Sequence, residues 1–105
     1  MRKMILVVAL MFALTSCSCY DAIDVFWPAS SRSWAKSIVD RESTNNPAAQ
    51  NPHSSAAGCF QLLKMHAWRF DAVGGSWANR YDAGWNTLAA LHLYREAGTQ
   101  PWRMR

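Results

Sequence analysis

The chain is short of carboxylates, of cysteines and of long apolar runs, and each shortage removes a class of function. Its 105 residues include only seven Asp and Glu, so mechanisms built on two paired acids have few candidates. The three cysteines and three histidines show no ligand spacing, which leaves no metal-site pattern and no expected cofactor. His66 and His92 read as polar-edge core residues and His53 as a loop residue. The longest apolar run, Met4 to Leu14, has eleven residues, too few to cross a bilayer as a helix. No strand pattern, repeat or low-complexity segment stands out. The expected class is therefore all-α, with no sheet or a minimal one.

What is present begins with an export signal. Arg2 and Lys3, the apolar run and then Thr15-Ser16 make residues 1–16 a signal peptide. Leu14-Thr15-Ser16-Cys17 resembles a bacterial lipobox, in which Cys17 would be lipidated and anchor the mature protein to a membrane. Ordinary cleavage near Ser18 is the alternative. Either route takes the protein out of the cytoplasm, to a periplasmic or extracellular location. Removing residues 1–16 leaves nine basic residues against seven acids, so the formal charge falls from +4 to +2. Nucleic acid is thus not an expected partner.

The mature chain is near the size at which a single core becomes marginal without help. Six tryptophans offer large apolar area; most belong in the core, and Trp68 and Trp77 are the candidates for a groove wall. If Cys17 carries lipid, Cys19 and Cys59 remain to pair in an oxidising compartment. The favoured alternative leaves Cys59 as a free buried thiol.

Residues 17–30 read as a tether with an apolar patch at Val25 to Trp27, and 31–105 as the domain. Ser31 to Ser43 is expected to be a helix, capped by Ser30 or Ser31. A loop rich in Asn, Pro and Ser follows from Thr44 to Ala57. Phe60 to Phe70 is expected to be a second helix, and Ser76 to Arg80 one helical turn after Gly74-Gly75. The last helix, Ala83 to Ala97, has Asp82 as its cap, Trp85, Leu88, Ala89 and His92 on one face, and Gly98 and Pro101 as its stop.

The most informative segment is Glu42 to Leu63, ESTNNPAAQNPHSSAAGCFQLL. At about 100° per residue, Trp34, Ile38, Glu42, Ala35 and Val39 fall at roughly 0°, 40°, 80°, 100° and 140°. Glu42 is thus on the apolar arc at the end of its helix, an environment that suits a general acid. A solvent-facing helix end is the plainer alternative. Asp40 falls at about 240° on the same wheel and cannot form a dyad with Glu42.

The order of residue types in this segment resembles the catalytic signature of lysozyme-like lytic transglycosylases, the SLT and resuscitation-promoting-factor type, in small exported or phage-borne members. Glu42-Ser43, Asn46-Pro47, Ala49, Pro52, Ala56-Ala57-Gly58, Cys59-Phe60 and Gln61 fill the family's places. Val25-Phe26-Trp27-Pro28 with Trp34-Ala35 and Ile38 matches the lead-in, and Asn86, Tyr94-Arg95, Gly98 and Pro101-Trp102 match the end, so the likeness covers about residues 25 to 102. Thr44 stands where relatives often have glycine. Leu93 occupies the place of a tyrosine that comes one position later here, as Tyr94.

The resemblance implies a small lysozyme-like helical domain with a substrate groove for peptidoglycan glycan strands. It implies that Glu42 protonates the glycosidic oxygen between N-acetylmuramic acid and N-acetylglucosamine, then as a base helps the C6 hydroxyl close a 1,6-anhydro ring. Ser43 would lie near Glu42 or the substrate's acetamido group, Gln61 would contact sugar, and Asn86 and Tyr94 would stand on the opposite wall. Counting carboxylates agrees with a single-acid mechanism. Asp21 and Asp24 lie in the tether, Glu96 near a helix end, and Asp71 is the one loop candidate for a second carboxylate. A hydrolytic muramidase, a silent peptidoglycan-binding lipoprotein and a structural surface lipoprotein are the rival readings.

Overall fold

The computed structural model describes residues 18–103; the expected signal peptide (1–16) and the expected lipidation site Cys17 lie outside them. The described chain is helical with no strand, and its nearest approach to a sheet is a pair of isolated antiparallel bridges, Gln50 with Ala57 and Ala57 with Leu62. Four α-helices carry it: α1 (Cys19–Phe26), α2 (Arg32–Ser43), α3 (Ala67–Ala72) and α4 (Ala83–Ala97). Short 3-10 turns at Ala29–Ser31, Lys64–His66, Trp77–Asn79 and Gln100–Trp102 link or follow them.

The tether expectation is corrected from Cys19 onward. Ser18 and Asp21 form a reciprocal capping box that starts α1, each side chain accepting the other's backbone N–H at 3.2 Å. Cys19, Ala22 and Ile23 share one face and are fully buried. Trp27, placed just before Pro28 where a helix must end, turns inward. Its indole N–H donates to the Thr87 carbonyl at 3.0 Å and its ring stacks on Phe60 at 5.4 Å. Cys19 and Cys59 form a disulfide across 40 residues, so the free-thiol expectation for Cys59 is also corrected. Closing a loop of that length contributes on the order of 4 kcal/mol in the chain-entropy account.

Helix α2 forms as expected, although Ser31 makes no side-chain cap bond. The helix ends on Thr44, at φ 54° in the left-handed region, with Asn45 beside it at φ 57°. The expected helix from Phe60 to Phe70 is cut back to its second half. Gln61 sits at φ 50°, and Leu62 exchanges both backbone hydrogen bonds with Ala57, at 3.0 and 3.1 Å. Phe60 and Leu62 are thereby buried from an extended turn. Gly58 has to be glycine twice over: its φ is +79°, and a Cβ there would meet the Arg80 carbonyl and the Asn86 amide at 2.3 Å.

Helix α4 has its expected bounds but a different buried face. Ala83, Gly84, Ala89 and Ala90 are buried with Asn86, Thr87, Leu91 and Leu93, whereas Trp85, Leu88 and His92 are only partly covered. Small residues let α1 and α3 approach α4 closely. Trp27, Trp34, Phe60, Tyr94 and Trp102 then form one aromatic core, with ring centroids between 5.0 and 6.0 Å apart. Such rings contribute more to a small core than their number suggests.

Candidate active site

The last turn of α2 delivers Arg41 and Glu42 to a cleft of about 480 Å³, whose other walls are Asn51, Ser54, Ala56, Gln61 and Leu63. Among the described residues Glu42 is the sole acid lining it. The Glu42 side chain is only 8% exposed, against 47% for Arg41. The immediate partner of the carboxylate is a cation rather than an apolar wall: Arg41 donates to Glu42 Oε2 from Nη2 at 3.1 Å and from Nε at 3.3 Å. The same Nη2 also donates to the backbone carbonyl of Trp102.

Gln61 lines the same cleft and is 6% exposed. Its amide donates to the carbonyls of Ala49 and Gly58, at 3.0 and 3.1 Å. A left-handed backbone costs a non-glycine residue about 1–2 kcal/mol, and these two bonds offset it. They also tie the turn at Gly58–Leu62 to the loop at Ala49. The loop braces itself: Ser54 Oγ accepts the Ala56 N–H at 3.2 Å, and the Gln50 amide donates to the carbonyls of Asn51 and Ser54 at 3.0 and 3.1 Å. On its outer side the Tyr81 hydroxyl donates to Gln50 Oε1.

The other expected site residues do not line this cleft. Ser43 is buried, and its hydroxyl faces the carbonyls of Cys59 and Val39 at 2.8 and 3.1 Å, fastening the end of α2 to the turn. Asn86 is fully buried and its amide is saturated. Its Oδ1 accepts the Phe60 N–H at 2.9 Å, and its Nδ2 donates to Ala57 and Arg80 carbonyls at 3.0 and 2.9 Å. Tyr94 packs in the aromatic core, 5.0 Å from both Trp27 and Trp34. Ser43 was expected near Glu42 or the acetamido group and Asn86 and Tyr94 on the wall opposite Glu42; here Ser43 and Asn86 hold backbone groups and Tyr94 packs against Trp27 and Trp34. Cys17 lies outside the described residues.

The remaining acids stand apart. Asp40 points away from Glu42 and accepts the Tyr20 hydroxyl, a bond that raises that phenol above its ordinary range. Asp71 is exposed on α3, not in a loop. Asp82 precedes α4 without a side-chain cap bond. Burial raises its carboxyl above the usual range, partly opposed by Asn79.

Trp68 and Trp77 are likewise off the cleft. Trp68 is half exposed, its ring 4.4 Å from the Arg69 guanidinium and edge-on to His92 at 5.3 Å. Trp77 packs edge-on to Phe70 at 5.5 Å. Arg69 is itself buried, its guanidinium reaching His66 and His92 at 3.1 Å each and Glu96 at 2.7 Å. The histidines expected at a polar edge thus serve the α3–α4 junction.

Sequence reading missed Arg41, Asn51, Ser54, Ala56 and Leu63 as cleft-lining residues. Arg41 had a signal, its place beside Glu42. The others had none, because which side of a polar loop faces the cleft is set by the Gln50–Ala57 and Ala57–Leu62 pairings. Compared with known families, curated proteins and solved structures, the chain matches none.

Proposed function

We propose that this domain is an exported, lysozyme-like lytic transglycosylase acting on peptidoglycan glycan strands, with Glu42 as acid and then base. One observation carries the reading: among the described residues the single acid lining the cleft is Glu42, and Gln61 lines the same cleft from a turn fastened by its own amide. A cleft with one carboxylate suits chemistry in which no second acid holds a water or attacks the sugar. Glu42 donates its proton to the glycosidic oxygen, and the bond from the muramoyl C1 to that oxygen breaks. The acetamido group of the same sugar eases the developing positive charge. Glu42, now a carboxylate, takes the proton of the C6 hydroxyl as that oxygen bonds to C1. The ring closes without water, and the proton lost in the first step is regained in the second.

The contact between Arg41 and Glu42 favours a second reading, a binding module in which the carboxylate rests as half of an ion pair. Mass spectrometry of material released from purified peptidoglycan separates the two. The transglycosylase releases muropeptides one water lighter than hydrolysis products, a muramidase releases the heavier ones, and the binding module releases nothing.

A further inference from the structure

We propose that Trp102 brackets the two walls of the cleft, positioning Glu42 through Arg41 on one side and Gln61 through Phe60 on the other. Trp102 closes the 3-10 turn after α4 and is 1% exposed. Its two polar groups go to the two segments that carry Glu42 and Gln61. The backbone carbonyl accepts Arg41 Nη2, and the indole N–H donates to the Phe60 carbonyl at 3.1 Å. Arg41 is one residue from Glu42 and Phe60 one residue from Gln61, so each bond ends beside a residue that lines the cleft.

Neighbours at i and i+1 on a helix do not face one another. For Arg41 to reach the Glu42 carboxylate, its guanidinium has to be drawn round the end of α2. The Trp102 carbonyl is the acceptor that draws it. The Trp102 ring is in turn fixed edge-on to Trp34 and Phe60, at 5.5 and 5.9 Å. Its main chain is held by the Trp102 N–H to Thr99 carbonyl bond at 3.1 Å. A long, half-exposed arginine thereby gains a fixed far end. Glu42 and Gln61 come from segments with no direct backbone pairing between them, and Trp102 is common to both supports.

The catalytic consequence rests on the transglycosylase reading, since an acid misplaced by about 1 Å costs roughly a hundredfold in rate. The experiment compares wild type, Arg41→Met, Arg41→Lys and Trp102→Phe. Readouts are kcat and KM on soluble peptidoglycan fragments, Tm, and NMR order of the Glu42 and Gln61 side chains. Arg41→Met should lose side-chain order at Glu42 and about 10- to 100-fold in kcat, with KM within about twofold and a lowered Tm, because the nearly buried Glu42 carboxylate and the Trp102 carbonyl lose their cation. Arg41→Lys should recover part of the loss. Trp102→Phe keeps an aromatic ring and removes the N–H, and should loosen the Gln61 amide. Unchanged Glu42 order and kcat in Arg41→Met overturn the bracket. A wild type that releases nothing sinks the transglycosylase reading instead, and the bracket is then decided by side-chain order alone: lost order supports it, retained order overturns it.

Discussion

Asn86 Oδ1 accepts the Phe60 N–H at 2.9 Å while its Nδ2 holds the Ala57 and Arg80 carbonyls, so one fully buried amide joins α4 to the turn that carries Gln61. No other residue type supplies one acceptor and two donors in that shape. Asn86→Ala leaves the buried Phe60 N–H and the partly buried Arg80 carbonyl without this partner, at about 1–3 kcal/mol each, while the Ala57 carbonyl keeps the Leu62 N–H. The expected total is on the order of 4 kcal/mol, read as a lower urea midpoint. Asn86→Asp keeps the acceptor, loses both donors and should be no better. A sugar contact makes the opposite prediction, near-native stability with a raised KM.

Thr44 offers a test in the stabilising direction. It ends α2 at φ 54° and is exposed, so its side chain loses little packing if removed. A left-handed residue other than glycine costs about 1–2 kcal/mol, and glycine returns about 0.5–1 kcal/mol of that through its freer unfolded chain. Thr44→Gly should therefore stabilise by about 0.5 kcal/mol and raise Tm by a few degrees. A lower Tm would mean that the threonine makes a contact worth more than its strain.

The bounds of α4 were legible because Asp82, Gly98 and Pro101 punctuate it, and those signals are local. The place of Glu42 at the end of α2, where it lines the cleft, was legible because helical spacing and its neighbours in the segment agree. Helix α1 was not, since its apolar face is short and its anchor is Cys59, 40 residues away. The segment from Phe60 to Leu63 was misread because a short apolar run has no period to separate helix from extended turn. Pairing with Ala57 decides that case. Asn86 and Ser43 were read as sugar contacts because polar residues in a motif look alike, whether they face substrate or backbone. Only the distant carbonyls they bind distinguish the two.

Glu96 should mark the acid limb of stability. The Arg69 guanidinium donates to it at 2.7 Å and holds its carboxyl below the usual range. The folded state therefore binds this proton less tightly than the unfolded state. The stabilisation is complete above the unfolded pKa of about 4.3 and is lost as pH falls through the lowered folded value. Glu96→Gln leaves His66 and His92 on Arg69 and removes only this charge. Its Tm should lie below wild type at pH 6 and converge on it at pH 2 to 3. A gap of equal size at both pH values would assign the effect to packing instead.

The decisive comparison sets Glu42→Gln against Asn at the two acids nearest in role. Glu42→Gln keeps the shape of the side chain and removes its exchangeable proton, and proton transfer of this kind is worth about 10² to 10⁴ in rate. Muropeptide release should fall by at least that lower figure with melting almost unchanged. Asp71 is exposed on α3 and absent from the cleft walls, so Asp71→Asn should be silent. Asp82 was expected to cap α4, yet it makes no cap bond, and burial raises its carboxyl. Its ionised form is thus the costly one. The cost begins as pH rises through the unfolded pKa of about 3.9 and is complete above the raised folded value. Asp82→Asn should accordingly leave stability at pH 7 unchanged or slightly higher, with muropeptide release intact. A two-carboxylate muramidase requires a different pattern, because it fails without either partner: an Asp71→Asn or Asp82→Asn variant as inactive as Glu42→Gln, with products of full hydrolytic mass. That result would replace the single-acid mechanism.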